Sequence, residues 1–309
     1  MKLMLAFLPS PILLIINCLL LAANGILIST PIMILGIFRF LLPIHAIVSV
    51  IDRINYYMYR WWVINVALIM SLTNKIDWKI TGDPIPDIKK SCVVISNHQS
   101  WVDIIVLCHI YRGKIPTTKF FMKHSLIYIP FIGLACYALG MPFLRRYSRE
   151  KLLKNPKLRQ KDMETTKKAC KRLAIHPSSL INFVEGTRWT PVKAKAQRSS
   201  YRHLMPPKAA SVAVALGEIG NDVDCILNTT LVYPENTYPH KGFIDLLMGR
   251  FKAVRANIEV MPVTEDMTGD YLGNKEYKRA FTNNLKELWV KKDELIDKIL
   301  EDYKQEKQR

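Results

Sequence analysis

The sequence predicts an α/β fold, in which a mainly parallel sheet is flanked by helices and preceded by apolar membrane helices. Short apolar runs typical of buried strands alternate with segments of helical spacing, and residues 3–38 contain no charged residue. The length of 309 residues allows one or two domains. We expect a membrane anchor at 1–75, an α/β domain at 76–265 and an amphipathic helical segment at 266–309.

The first apolar segment is long enough to enter a membrane. As one helix, residues 3–38 would measure about 54 Å, whereas the hydrocarbon core of a bilayer is about 30 Å thick. Asn24-Gly25 and Pro31 are possible break points, so the segment predicts one span or a tight hairpin that dips into the bilayer. Arg39 and Arg53 follow it, and the positive-inside rule then places the remainder in the cytoplasm, at the inner membrane in a bacterium.

Two further apolar segments follow. Residues 56–72 contain Arg60-Trp61-Trp62, which suits a helix at the membrane interface and also fits a core helix. Residues 125–144 are uncharged as well, but we interpret them as buried helix and strand rather than a span. They are interrupted by Pro130, Gly133, Gly140 and Pro142.

A histidine and an aspartate follow the first apolar strand of the α/β region. The run 92–95 predicts a short buried strand, and His98 and Asp103 come directly after it. We expect Ser100 to cap a helix, with Asp103 in its first turn. A histidine needs such a carboxylate to hold one tautomer and act as a base toward a hydroxyl. Taken alone, the pair also fits an ordinary buried histidine and a solvated helix cap.

Two more motifs accompany this pair. Phe143-Leu144-Arg145-Arg146 lies further along the chain. Phe183-Val184-Glu185-Gly186-Thr187-Arg188 follows a second apolar run, Leu180-Ile181, in a strand predicted at 180–184. The order His-x-x-x-x-Asp, Phe-Leu-x-Arg, Phe-x-Glu-Gly-Thr-Arg resembles the glycerolipid acyltransferase family over roughly residues 80–234. Val184 stands where that family commonly has Pro. Arg145 stands where Asp is common, which leaves the preferred headgroup open.

The resemblance implies an activity and a set of site residues. His98 would be the general base and Asp103 its partner, in transfer of a fatty acyl group to the sn-2 hydroxyl of lysophosphatidic acid, giving phosphatidic acid. The donor would be acyl-CoA or acyl carrier protein, with no cofactor and no metal. The alternatives are another lysophospholipid acceptor and a non-enzymatic membrane protein that binds anionic lipid. The family positions for acceptor binding are Arg146, Glu185, Gly186 and Arg188.

The charge distribution suggests an anionic partner. The formal net charge is +18, and residues 145–208 carry 18 Lys and Arg against 4 Asp and Glu. Such a segment fits an anionic membrane surface, at about 1 kcal/mol per cation, or a solvated loop. Nucleic acid is not expected, because few aromatic residues interleave the cations. The 6 cysteines show no spacing typical of a metal site.

The remaining elements are predicted from periodicity. Helices are expected at 161–175, 209–216 and 285–303, a polar loop at 188–208, and strands at 223–227, 229–232 and 254–260.

Overall fold

The computed structural model describes residues 5–144, 177–236 and 242–308, together with positions 155, 164, 166, 167 and 170. The helices in this part of the chain are α1 (Ser10–Leu41), α2 (His45–Thr73), α3 (Val102–Tyr111), α4 (Ile132–Ala138), α5 (Pro191–Ala196), α6 (Ala209–Ile219), α7 (Gly242–Leu247) and α8 (Lys275–Gln308). The strands are β1 (Asp77–Gly82), β2 (Ser91–Ser96), β3 (Thr117–Phe120), β4 (Met122–Lys123), β5 (Phe143–Leu144), β6 (Ser178–Phe183), β7 (Val223–Val232) and β8 (Ala253–Met261).

The main sheet has the strand order β1-β8-β7-β2-β6-β3. Neighbouring strands run parallel except β7 and β8, so the predicted mainly parallel α/β fold is confirmed. All six residues of β2 are buried, as expected for a central strand covered on both faces, and this explains its uninterrupted apolar sequence. Edge strand β1 is largely exposed and carries no alternating pattern, which is why the sequence did not predict it.

One strand replaces two that the sequence predicts. The runs 223–227 and 229–232 belong to the single strand β7, although the polar Asn228 interrupts them. In the antiparallel pair Asn228 lies opposite Glu259 of β8, and its Nδ2 donates to Glu259 Oε2 at 2.8 Å. This hydrogen bond satisfies the Asn228 amide nitrogen inside the sheet, so the strand continues through it.

Helices cover both faces of the sheet. Residues of α2 and α3 form one apolar cluster with the sheet, and residues of α6 and α8 form another. The predicted C-terminal amphipathic helix is confirmed as α8, and it buries Phe281, Leu285, Trp289 and Ile296. The 266–309 segment therefore packs on the α/β core. The division of the chain at 75 and 265 stays a prediction.

The first apolar segment forms one uninterrupted helix. Pro31 lies inside α1 without breaking it, so of the two predicted alternatives the hairpin within residues 3–38 is wrong. The hairpin is made instead by α1 and α2. Arg39 and Asp52 form an ion pair of 2.8 Å near the connection, and Asn17 Nδ2 donates to Thr73 Oγ1 at 3.1 Å near the opposite end. Of the helices in the described residues, α1 is the one long and apolar enough to cross a membrane.

Helix α1 contacts the α/β domain near both of its ends. Near its start, Asn17 Nδ2 also donates to the carbonyl of Leu247 in α7, at 2.7 Å. Near its end, Gly36 packs so closely on α4 that an added Cβ would lie 2.7 Å from the Cβ of Ala138. A helix held at both ends lies alongside the domain.

The segment 125–144 is not a spanning helix, but the prediction that it is buried was wrong. It consists of a 3₁₀ turn at His124–Tyr128, the short helix α4 and β5. Only one face of helix α4 is buried, and that face consists of the small residues Gly133 and Ala135. Exposed apolar side chains of the segment are Tyr128, Ile129, Phe131, Ile132, Leu134 and Tyr137.

Two sequence predictions lie wholly or mostly outside the described residues. Arg145 and Arg146 are not among them. Of the helix expected at 161–175, only positions 164, 166, 167 and 170 are described, and these are helical. The polar loop expected at 188–208 contains the short helix α5.

Candidate active site

Three strands end at the same edge of the sheet, and the predicted motifs follow two of them. Ser96 of β2 lies beside Phe183 of β6 and Thr229 of β7 in the parallel register. The segments that follow these strands therefore meet at the carboxyl edge of the sheet, where open α/β folds bind their ligands. The Asn97 side chain joins two of them, because its Nδ2 donates to the Leu231 carbonyl at 2.9 Å and its Oδ1 accepts from the Leu231 amide at 2.8 Å.

His98 and Asp103 are hydrogen-bonded, as the sequence predicts. His98 Nδ1 lies 2.7 Å from Asp103 Oδ2, and the Asp103 side chain is fully buried. An ionised carboxylate only accepts, so the Nδ1 nitrogen carries the proton and Nε2 is left as the base. The His98 ring stacks on Phe183 at a centroid distance of 4.1 Å, which fixes its plane.

The same carboxylate shapes the turn before α3. Asp103 Oδ2 also accepts from the amides of Gln99 at 2.6 Å and Ser100 at 3.0 Å. The Ser100 hydroxyl accepts from the amide of Val102 at 3.3 Å. The predicted helix begins here, but Asp103 rather than Ser100 satisfies most of the amides. Local hydrogen bonding thus explains the spacing of His98 and Asp103.

Tyr233 completes the hydrogen bonds of Asp103 and was not predicted as a site residue. Its hydroxyl donates to Asp103 Oδ1 at 2.7 Å. Tyr233 follows the end of β7, so the parallel register brings it to the carboxylate. The sequence feature that could have identified Tyr233 as a site residue is its position directly after a strand-like run.

Glu185 lies beneath the site rather than at its surface. Its side chain is fully buried, and neither carboxylate oxygen has a hydrogen-bond partner among the described residues. The amides of Met205 and His98 face it without completing hydrogen bonds of good geometry. Burial raises the pKa of Glu185 well above its ordinary value, the nearby charge of Asp103 adds to this, and the two amides and Lys292 oppose it. A supporting role fits this position better than contact with the acceptor.

Lys292 of α8 is a buried cation that the sequence prediction missed. It is 2% exposed, and its Nζ donates to the Thr229 carbonyl at 2.7 Å. Burial lowers its pKa to about 7, while the charges of Glu185 and Glu259 act in the opposite direction. The lysines of an amphipathic helix ordinarily face solvent. The position of Lys292, three residues after Trp289 on the apolar face, was the available signal.

The Glu-Gly-Thr-Arg motif turns sharply and presents cations. Gly186 has φ 66°, a left-handed conformation that side chains disfavour. The Arg188 guanidinium lies over the Trp101 ring, 5.0 Å from its centroid. Lys193 Nζ donates to Thr187 Oγ1 at 3.0 Å and to the Arg188 carbonyl at 3.4 Å. Partial burial, and then the charge of Arg188, lower the pKa of Lys193.

The structure thus brings together five of the six predicted site residues. His98 and Asp103 are in contact, Glu185 lies below them, and Gly186 and Arg188 follow at the same edge. The amide of Trp189 donates to the carbonyl of His98 at 2.8 Å and ties the two motifs together. Arg146 lies outside the described residues, so its place in the site stays a prediction.

Comparisons with known proteins point to one family. The model of the Acyltransferase family matches residues 77–234, about half of the chain. The chain is 25% identical to 1-acyl-sn-glycerol-3-phosphate acyltransferase 2 of Arabidopsis thaliana, over 68% of this chain and 52% of that protein. It is 30% identical to the 1-acyl-sn-glycerol-3-phosphate acyltransferase of Saccharomyces cerevisiae, over 45% of this chain and 43% of that protein.

The chain spans about half the length of the curated relatives it matches. Among solved structures, the 1-acyl-sn-glycerophosphate acyltransferase PlsC of Thermotoga maritima aligns with 94% of this chain and 98% of that one. Its TM-score is 0.47 and its sequence identity 18%, which is too distant to carry an argument.

Proposed function

The chain belongs to the acyltransferase family, and from this premise we propose that it transfers a fatty acyl group from a thioester to the sn-2 hydroxyl of lysophosphatidic acid. The product is phosphatidic acid, and the donor is acyl-CoA or acyl carrier protein. The observation that carries the proposal is the contact between His98 Nδ1 and Asp103 Oδ2 at 2.7 Å, at the edge of the sheet where two of the three motifs meet. The names of the relatives support this choice of acceptor.

The chemistry follows from that contact. His98 Nε2 takes the proton of the acceptor hydroxyl, and the oxygen attacks the thioester carbonyl. The C–S bond then breaks, and the departing thiolate takes the proton from the imidazolium. A placed base contributes about 10²- to 10⁴-fold to such a transfer. Asp103 holds the imidazole tautomer and stabilises the imidazolium, as the aspartate does in a serine-protease triad, but here no acyl-enzyme is needed.

The acceptor phosphate has cations available in the motif that follows β6. Arg188 and Lys193 lie next to each other, and neither takes part in an ion pair with a carboxylate among the described residues. We propose that Arg188, held on Trp101, binds the phosphate, with Arg146 as the second cation that the family resemblance implies. Arginine suits this role because its planar fork matches phosphate oxygens.

An apolar cavity behind the His98–Asp103 turn offers space for an acyl chain. It has a volume of about 380 Å³ and lies between α2 and α3. Val102, the neighbour of Asp103, lines it together with Val66, Met70 and Phe251. We propose that this cavity, rather than the exposed segment 125–144, holds the acyl chain.

We propose that the protein is bound to a membrane from one side, with the active site facing the cytoplasm. The outer face of α1 exposes a row of large apolar side chains, and the exposed apolar side chains of the α4 region continue it. Because α1 touches the α/β domain near both ends, it fits insertion along one leaflet better than a crossing. The exposed apolar residues of α1 include Ile15, Leu19, Leu27, Ile34 and Phe38.

A thiol-release assay in lipid vesicles tests the activity. Acyl-CoA is supplied with a panel of lysophospholipids, and lysophosphatidic acid is expected to give the fastest release. His98→Ala should reduce release by about 10²- to 10⁴-fold while binding to the vesicles is retained.

His203→Ala is the matched control for this variant. It removes another His–Asp contact of similar length, between His203 Nε2 and Asp297 Oδ1 at 2.8 Å, outside the site. Near-normal turnover in His98→Ala would refute the role of His98 as the general base. Faster turnover with another lysolipid would move the proposal to that acceptor. Vesicle binding without thiol release from any donor would favour the non-enzymatic alternative.

A further inference from the structure

Tyr233 is a buried tyrosine that contacts the proposed catalytic pair from the far side. It is 1% exposed, and its hydroxyl donates to Asp103 Oδ1 at 2.7 Å. Its ring packs edge-on against Phe251 at a centroid distance of 5.3 Å. Packing on one side and the hydrogen bond on the other therefore fix the position of the hydroxyl.

The two oxygens of Asp103 have different partners. Oδ2 accepts from His98 and from the amides of Gln99 and Ser100. Among the described residues, Oδ1 accepts from Tyr233 alone, in a region closed to solvent. Oδ2 would keep these three donors, but without the tyrosine hydroxyl the other oxygen of a buried carboxylate would lose its donor. The turn before α3 cannot supply a replacement, because its amides already point at Oδ2.

We propose that Tyr233 is a positioning residue for acyl transfer, holding the Asp103 carboxylate toward His98 and drawing part of its negative charge away from the imidazole. This rests on the proposed function, since it assigns Tyr233 a role in the same reaction. None of the three motifs that identify the family contains this tyrosine. The inference therefore depends on the contact alone.

The hydrogen bond has a consequence for proton transfer. Burial, and then the charge of Asp103, raise the pKa of Tyr233 well above its ordinary value, so the phenol stays protonated and keeps donating. When the hydroxyl is removed, more negative charge remains on the carboxylate beside His98. The imidazole then holds its proton more tightly, and a higher pH is needed to free the base. The acid limb of the pH–rate profile should therefore move upward.

Other charged groups face this pair from neighbouring elements. Glu185 follows β6, Lys292 comes from α8, and Arg188 lies on Trp101 beside the turn. Each of them is unchanged when Tyr233 is replaced. A difference between two profiles measured under one set of conditions therefore reports the tyrosine hydroxyl.

The test compares Tyr233→Phe with Tyr111→Phe. Tyr111 is equally buried, and its hydroxyl lies 2.6 Å from Thr229 Oγ1, away from the carboxylate. Both variants keep the ring and lose one buried hydrogen bond, so both should lower Tm. We expect Tyr233→Phe alone to lower kcat, by about 10- to 100-fold, with little change in the KM for lysophosphatidic acid. We also expect its acid limb to move upward by about half a unit to one unit.

A second variant and a second measurement keep the test decisive. Tyr233→3-fluorotyrosine retains the fold and strengthens the donor, so its acid limb should move downward. An NMR titration of the His98 ring in detergent, assigned with His98→Ala, needs no turnover. It should show the ring taking up its proton at a higher pH in Tyr233→Phe than in the unaltered protein.

Unchanged limbs in both Tyr233 variants, with the Tm lowered as in Tyr111→Phe, would overturn the role and leave Tyr233 a structural residue. If the unaltered protein transfers no acyl group to any acceptor, the proposed function fails by itself. The NMR titration then still decides whether Tyr233 acts on the His98–Asp103 pair.

Discussion

Replacing Asp103 by asparagine and by alanine separates two roles of this carboxylate, which are to stabilise the turn before α3 and to place a negative charge beside His98. Asp103 accepts from four donors: His98 Nδ1, the amides of Gln99 and Ser100, and the Tyr233 hydroxyl. Asparagine can keep all four contacts. Its oxygen replaces Oδ2 and accepts from the two amides and the imidazole, and its NH₂ group faces Tyr233, whose hydroxyl turns to accept.

The loss of stability in each variant follows from the number of hydrogen-bond donors that it leaves without an acceptor. Asp103→Asn preserves the turn and should lower the free energy of unfolding by about 1 kcal/mol. Asp103→Ala leaves four donors without an acceptor, at about 1 to 3 kcal/mol for each one that is buried. Because water reaches the partly exposed Gln99 and Ser100, we expect a total loss of about 3 to 6 kcal/mol.

The loss of activity in Asp103→Asn should be moderate for a reason specific to this turn. In a serine-protease triad the same change costs about 10⁴-fold, because the amide imposes the wrong histidine tautomer. Here the amides of Gln99 and Ser100 hold the asparagine oxygen toward His98, so the tautomer is kept and only the charge is lost. A hydrogen bond to a charged group is stronger than a hydrogen bond to a neutral group. The loss of this additional energy predicts a fall in kcat of about 10- to 100-fold.

Thiol release in vesicles gives kcat, and thermal or denaturant unfolding gives the stability. The reasoning is refuted if Asp103→Asn turns over as fast as the unaltered protein, or if Asp103→Ala is as stable as Asp103→Asn. A loss near 10⁴-fold in Asp103→Asn would show that the backbone amides do not control the tautomer.

Two further predictions concern the cations around the site. Arg188→Ala should raise the KM for lysophosphatidic acid more than it lowers kcat, by about tenfold or more, because a charge-assisted contact to phosphate is lost; an unchanged KM in the thiol-release assay would contradict phosphate binding. Lys292→Met should stabilise the protein near pH 6.5 by about 1 to 3 kcal/mol. The native pKa of Lys292, about 7, lies below the ordinary 10.5, so between these values the unfolded chain binds more protons and stability rises with pH. The destabilisation caused by burying the Lys292 charge is complete below about pH 7 and disappears above pH 10.5. Denaturant unfolding at pH 6.5 and 9.5 should therefore show that the stability advantage of Lys292→Met shrinks as the pH rises. A variant that is less stable at both pH values would show that the Thr229 hydrogen bond outweighs the burial of the charge.

Several elements could be predicted because their signals are local. The run at 92–95 is buried on both faces, so its apolar sequence indicates β2, and the spacing of leucine and isoleucine indicates α8. His98 and Asp103 are five residues apart, and a single turn closed by two amides brings them together. Composition also identifies residues 3–38 as an apolar segment, but it does not distinguish one helix from a hairpin.

Other features could not be predicted because their partners are distant in the chain. Segment 125–144 has the composition of a buried segment, yet α4 lies on the outside, because it packs only one small-residue face against α1 and the preceding 3₁₀ turn. The sequence likewise contains no signal that α1 is held near both ends by Leu247 and Ala138.

The sequence by itself determined the strands β2, β6 and β8, the family motifs and the histidine with its carboxylate, because these depend on periodicity and on contacts within one turn. Only the tertiary structure placed Tyr233 on Asp103 across 130 positions of sequence, and Lys292 in the interior beside Thr229. The register of parallel strands decides such meetings, since it brings the ends of β2, β6 and β7 to one edge whatever the length of chain between them.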